Sequence, residues 1–120
     1  MTWLAVALAG ALGASARYVL DHAVSSRLAA VFPWGTFLVN VSGSLAAGAV
    51  AGLVATAGLP TVAGTVVAGG FLGAYTTFST AMYETARLVE DGAGLEAATN
   101  LVLPLVACLL AATLGWWLVA

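Results

Sequence analysis

The chain has 120 residues, 62% of them hydrophobic and only 7% charged, with a mean hydropathy of +1.08 and a formal net charge of −2. Soluble domains carry about a quarter charged residues, so this composition excludes an ordinary soluble fold and points to an integral membrane protein of one domain at most. Three arginines and no lysine leave no basic patch for nucleic acid or anionic lipid.

The first segment runs without a charged side chain from Thr2 until Arg17, Tyr18 and Asp21. It predicts a first transmembrane helix over about residues 2–20, the ~20 residues that a bilayer crossing requires. Ala9, Gly10, Gly13 and Ala14 give it a small-residue face for close helix packing. No basic region precedes the apolar stretch, so a cleaved signal peptide is not expected. The link from Asp21 to Trp34 holds His22, Arg27 and Pro33, and Ser25 to Phe32 reads as a short interfacial helix. His22 has no partner at metal-ligand spacing and reads as a solvated side chain.

From Leu28 to Tyr83 no residue is ionisable as an acid, lysine, arginine or histidine, and so long a run must hold at least two crossings. Gly58-Leu59-Pro60 divides it, because glycine and proline end helices. The second helix is then about 35–56, with Asn40, Ser42 and Ser44 in its first half and Gly48-x-x-x-Gly52 in its second. An amide as deep as Asn40 must find partners, either across to another helix or in a pore or ligand site.

The third segment, about 61–90, would form a straight helix of ~45 Å against ~30 Å of hydrocarbon. It must tilt, protrude or break. Gly69, Gly70 and Gly73 followed by Thr76-Thr77 place a break near residues 73–77, close to the bilayer middle. Six of the nine residues from Tyr75 to Tyr83 carry a hydroxyl, with Phe78 among them. A broken helix frees backbone groups that can coordinate ions, whereas threonines that bond back to carbonyls would only kink it.

A charged link with Arg87, Glu90, Asp91 and Glu96 leads to the last helix, about 95–119. Asn100, Pro104, Cys108 and Thr113 fall near one face of it, and Pro104 should kink it. The single cysteine, Cys108, allows no intrachain disulfide and reads as a buried inert thiol. Four crossings put both termini on one side. Trp3, Trp116 and Trp117 mark that interface, and Tyr18, Trp34 and Tyr83 the other. All three arginines lie on the second side, which the positive-inside rule makes cytoplasmic; three charges are a small bias, compatible with insertion in either direction.

These residues also carry a family resemblance. GALGASARY from Gly10, WGTFLVNVSGS from Trp34 and GFLGAYTTFST from Gly70 make the chain resemble the Fluc/CrcB fluoride channels over essentially its whole length. The resemblance implies an all-α membrane protein of the cell membrane, with four transmembrane helices and a broken third helix, assembled as an antiparallel, dual-topology dimer. It implies two fluoride pores along the subunit interface, using parts of both chains, and passive export of fluoride that relieves its toxicity. By the same resemblance Asn40, Phe78, Ser79, Thr80 and Arg17 belong to the fluoride pore, with Asn100 a further position on its polar track. Gly73 and Thr76 would hold a structural sodium ion with their backbone carbonyls. Amide and hydroxyl donors and phenylalanine ring edges are the groups that can replace fluoride's water.

Three positions depart from the family pattern: Ala81 stands where a second pore phenylalanine is expected, and Asn100 and Pro104 where a tyrosine and a serine are. They favour, as an alternative, a non-conducting partner paired with a homologous subunit. A proton-coupled exporter of the small multidrug-resistance kind would need an ionisable group in the membrane core, and only Glu84, near a membrane end, comes close. No nucleophile–base pair, metal-ligand cluster or phosphate loop supports an enzyme.

Overall fold

The computed structural model describes residues 1–120, and helices are its only regular secondary structure. We number its helices α1 (Thr2–Arg27), α2 (Trp34–Thr56), α3 (residues 61–75), α4 (Ser79–Glu90) and α5 (Gly94–Val119). α3 and α4 are the two halves of one 30-residue span, so the chain has four helical spans long and apolar enough to cross a membrane. It is a multi-pass membrane protein. Only 17 of its 120 residues are buried, and Leu8, Leu12, Leu105, Leu109 and Leu110 are among the large apolar side chains left exposed. An apolar exterior of that kind needs no other account when lipid is the solvent.

The expected short helix over Ser25 to Phe32 is not present. α1 instead continues without interruption to Arg27, carrying Asp21 and His22 with it, and residues 28–33 are non-helical. Its last turns stay together because polar side chains bond within the helix: Ser25 Oγ donates to Asp21 Oδ1 at 3.2 Å, and His22 stacks on Tyr18. Phe32, Trp34 and Phe37 then form an aromatic cluster around the entry to α2, with ring centroids 4.8–6.0 Å apart.

The scaffold rests on close backbone approach. α2 and α5 are its most extensively packed pair. Gly48 lies against the backbone of Ala112, and Gly115 against the carbonyl of Leu45, so that a Cβ at either glycine would overlap the other helix's main chain. Membrane helices lack a hydrophobic drive to associate, and dispersion contacts between closely approaching backbones take its place. The small-residue face of α1 does the same against α3, where Gly13 meets the Phe71 carbonyl and Gly70 meets Val6.

The glycines before the break have a different role from the one expected of them. Gly69 and Gly70 sit in a π-helical stretch, Thr65–Leu72, and Gly73 keeps right-handed helical dihedrals. None of the three supplies an unusual conformation; positive φ is confined to Gly58 (73°) and Gly92 (76°), at the ends of α2 and α4. Gly70 is there because α1 passes too close for a side chain. The helix itself breaks later, at Thr76–Phe78.

Candidate functional site

Thr76 adopts an extended backbone, φ −78° and ψ 158°, and ends α3. Two polar side chains occupy the positions that the missing helical turn leaves open. The Thr77 N–H, which an unbroken helix would return to the Gly73 carbonyl, donates instead to Asn40 Oδ1 at 2.8 Å. Asn40 Nδ2 donates to the Thr77 carbonyl, also at 2.8 Å. Donor faces acceptor at both ends, which fixes the orientation of the amide. One asparagine therefore clamps both backbone groups of one residue across two helices.

Thr77 then starts the next helix. Although α4 is regular only from Ser79, its capping bond originates two residues earlier: the Thr80 N–H donates to Thr77 Oγ1 at 3.2 Å. A threonine oxygen accepting from the third N–H of a helix is the ordinary N-cap arrangement. In an unbroken helix that N–H would have gone to the Thr76 carbonyl. The break leaves the last four carbonyls of this half, residues 73–76, without helical donors; for Gly73 and Thr76 the donor has been given to a side-chain oxygen. Freed carbonyls at membrane depth are hard oxygen ligands, so the two positions suit a hard cation.

The hydroxyls are nearly all engaged. Tyr75 Oη pairs with Ser42 Oγ at 2.9 Å, and Thr77 Oγ1 donates to Thr80 Oγ1 at 3.0 Å. Thr76 Oγ1 bonds back to the Leu72 carbonyl at 2.9 Å, the local back-bonding that threonine in helices favours. Gly43 on α2 makes room for this corner, since a Cβ there would run into Thr76 Cγ2 and the Tyr75 ring.

Two cavities flank the break, and Thr77 lines both. The larger, about 550 Å³, brings together Asn40, Phe78, Gly73, Thr76 and Asn100 with an otherwise apolar wall that includes Ala81, Pro104 and Cys108. Phe78 projects from the chain, 77% exposed. The smaller, about 240 Å³, is polar: Arg17, Tyr18 and Asp21 of α1 face Thr36 of α2 and Thr80 of α4. Arg17 and Thr80 therefore share one cavity, and Asn40 and Phe78 the other. Ser79 lines neither; it is exposed beside Thr77, with the two hydroxyl oxygens 3.5 Å apart.

Asn100 is 2% exposed, and both its N–H bonds are spent, on the Ala81 carbonyl at 3.1 Å and on Thr85 Oγ1 at 2.9 Å. What the side chain has left is an acceptor. Pro104 adds to this, since it has no N–H to return to the Asn100 carbonyl one turn earlier. Glu84 completes the polar inventory. Its Oε1 accepts from Thr36 Oγ1 at 2.7 Å, while Oε2 is buried without a partner. Because Thr36 lies in the first turn of α2, this carboxylate sits toward a membrane end and not at the core of the bundle.

The sequence placed Thr77 at the break but gave it no partner, and it singled out nothing at Thr36. The signal for Thr77 was available in its position: a threonine three residues before another N–H at the restart of a helix is a capping pattern. Thr36 gave none, because its partner lies 48 residues away.

A four-span bundle whose third span breaks at membrane depth, with polar groups and cavities on both sides of the break, belongs to the class of small polytopic channels and carriers. The family can be given as well. The family described as CrcB-like protein, Camphor Resistance (CrcB), matches residues 4–116, and the chain belongs to it. A fluoride-specific ion channel FluC 1 from Frankia casuarinae is 50% identical over 121 residues, spanning 96% of this chain and 93% of that protein. FluC 2 of Mycobacterium tuberculosis, also a fluoride-specific ion channel, is 45% identical over 116 residues, spanning 97% and 89%. A third, from Rhodospirillum rubrum, is 42% identical over 118 residues.

Proposed function

We propose that the chain is a passive, fluoride-selective channel of the cell membrane, exporting fluoride down its gradient. The observation that carries this reading is the two-point clamp of Asn40 on Thr77, which holds a helix open beside Phe78 at membrane depth. Fluoride is small and strongly hydrated, so its path must present donors and electropositive edges while closing out larger anions. Asn40 Nδ2 keeps a second hydrogen after bonding the Thr77 carbonyl, and it lies in the cavity with the Phe78 ring. Ser79, Thr80 and Arg17 continue the donor set toward the second cavity; Asn100, with its N–H bonds spent, would border the track as an acceptor.

The pore is completed by a second copy of the chain in antiparallel orientation. Phe78 supports this, since so exposed a ring beside the polar break suits an interface that lines a path. The carbonyls of Gly73 and Thr76 would hold a sodium ion at the centre of that dimer. Two oxygens are few for a hard cation, and a second copy supplies a further pair, four in all. A cation bound there raises the local potential for an anion. These residues fit it by chemistry, as neutral oxygens released by the break.

A second reading, a non-conducting partner of a heteromeric channel, is favoured by Ala81 and Asn100. Ala81 offers only a methyl to the larger cavity, and its carbonyl is taken by Asn100 and Thr85. The two readings separate in liposomes loaded with fluoride, with voltage clamped by a potassium ionophore and release followed by electrode. The channel reading predicts fluoride release and no chloride release from this chain alone. Release only when a homologous subunit is added would select the second reading, and no release in either case would contradict both.

A further inference from the structure

We infer that Thr77 is the positioning residue of the cation site: its hydroxyl keeps the Thr76 carbonyl free for the ion, while Asn40 does the same for Gly73. The inference rests on the sodium reading above and adds what builds that site. Backbone carbonyls in an apolar medium do not stay unpaired if an N–H can reach them. The N–H that would close on Thr76 belongs to Thr80, and the Thr77 oxygen holds it at 3.2 Å. The N–H that would close on Gly73 belongs to Thr77 itself, and Asn40 holds it at 2.8 Å. Thr77 is thus fixed at its N–H, its carbonyl and its hydroxyl, and it is the residue common to both cavities.

Without the Thr77 oxygen, the helical acceptor for the Thr80 N–H is the Thr76 carbonyl, and a chain that made that bond for part of its time would pass that time with the break closed. A ligand that binds only the open form then shows an affinity reduced by the open fraction. The side chain never touches the ion. It acts through the backbone, and its replacement should therefore change the sodium concentration at which binding occurs, not merely the stability of the fold.

The test is thermal unfolding of purified protein over a series of sodium chloride concentrations, with N-methylglucamine chloride keeping ionic strength constant. The unfolding temperature of the natural chain should begin to rise where sodium reaches its dissociation constant and then climb with the logarithm of its concentration, and that onset is read as the sodium midpoint. Thr77→Val, similar in shape but without the oxygen, should move the sodium midpoint upward about tenfold, as a break closed in roughly nine of ten molecules would. Thr77→Ser should restore the midpoint to within about twofold. Should Thr77→Val not yield folded protein, Thr77→Ala removes the same oxygen with less bulk and is read in the same titration. A lower unfolding temperature at every sodium concentration with an unchanged midpoint would overturn the inference, leaving Thr77 a helix cap and no more. If the natural chain showed no sodium dependence while still releasing fluoride from liposomes, the sodium reading itself would fail, and this inference with it.

Discussion

The α2–α5 pair and the α3–α4 corner are held together by opposite means. Between α2 and α5, Gly48 and Gly115 bring two unbroken helices into main-chain contact with no polar side chain involved. At the corner, the helix is interrupted and side-chain oxygens of Asn40 and Thr77 take the place of backbone carbonyls. The first arrangement has one stable form, because any added atom meets a backbone that cannot yield. The second has an alternative close at hand, the continuous helix, and stays open only while those oxygens remain. A membrane protein that must keep polar groups unpaired for an ion needs both kinds of region, the rigid one to carry the open one.

Changes to the rigid pair should have the largest effect. Gly48→Leu would force a side chain into the Ala112 backbone; overpacking costs ~1–3 kcal/mol where side chains can shift, and a main chain in the way puts this change at or beyond the top of that range. It should leave little folded protein by size-exclusion chromatography in detergent. At the corner, Asn40→Ala takes the partner from both the N–H and the carbonyl of Thr77; where the break stays open each group is left unpaired at ~1–3 kcal/mol, and the unfolding temperature should fall accordingly. Phe78→Ile should separate function from stability. The ring is mostly exposed in the single chain, so unfolding of the chain should change by less than ~1 kcal/mol while fluoride release slows. Thr36→Val removes the one partner of Glu84 and should cost ~1–2 kcal/mol by thermal unfolding, with the helical content unchanged in circular dichroism. Among the changes read by stability alone, the smallest is Gly92→Ala, where a Cβ on a positive-φ residue in open space should cost about 1 kcal/mol by thermal unfolding.

The rigid region was readable in the sequence and the open one only in outline. Gly48-x-x-x-Gly52 and the small face of α1 declare close packing by their spacing alone, and both pack as that spacing says. The length of the third span required a break or a tilt, and composition placed it among the threonines. What composition could not give is which groups the break frees. That depends on Asn40 reaching Thr77, 37 residues on, and on a capping bond whose acceptor precedes the regular helix. The glycine cluster misled for a related reason: glycine serves both as a flexible residue and as a gap for a neighbour, and only the position of α1 shows that Gly70 is the latter. Likewise nothing local distinguishes Ser25 to Phe32 as a separate helix from the last turn of α1 followed by a loop; in the structure α1 runs on to Arg27, with Ser25 bonded back to Asp21.

The central claim, that the Asn40 clamp holds open a fluoride path, is tested most directly by fluoride release from liposomes carrying Asn40→Ala beside the natural chain at matched incorporation. The account predicts release at least about tenfold slower in the variant, as expected when an interaction worth ~1.4 kcal/mol or more is lost along the path. Equal rates in the two preparations would contradict it.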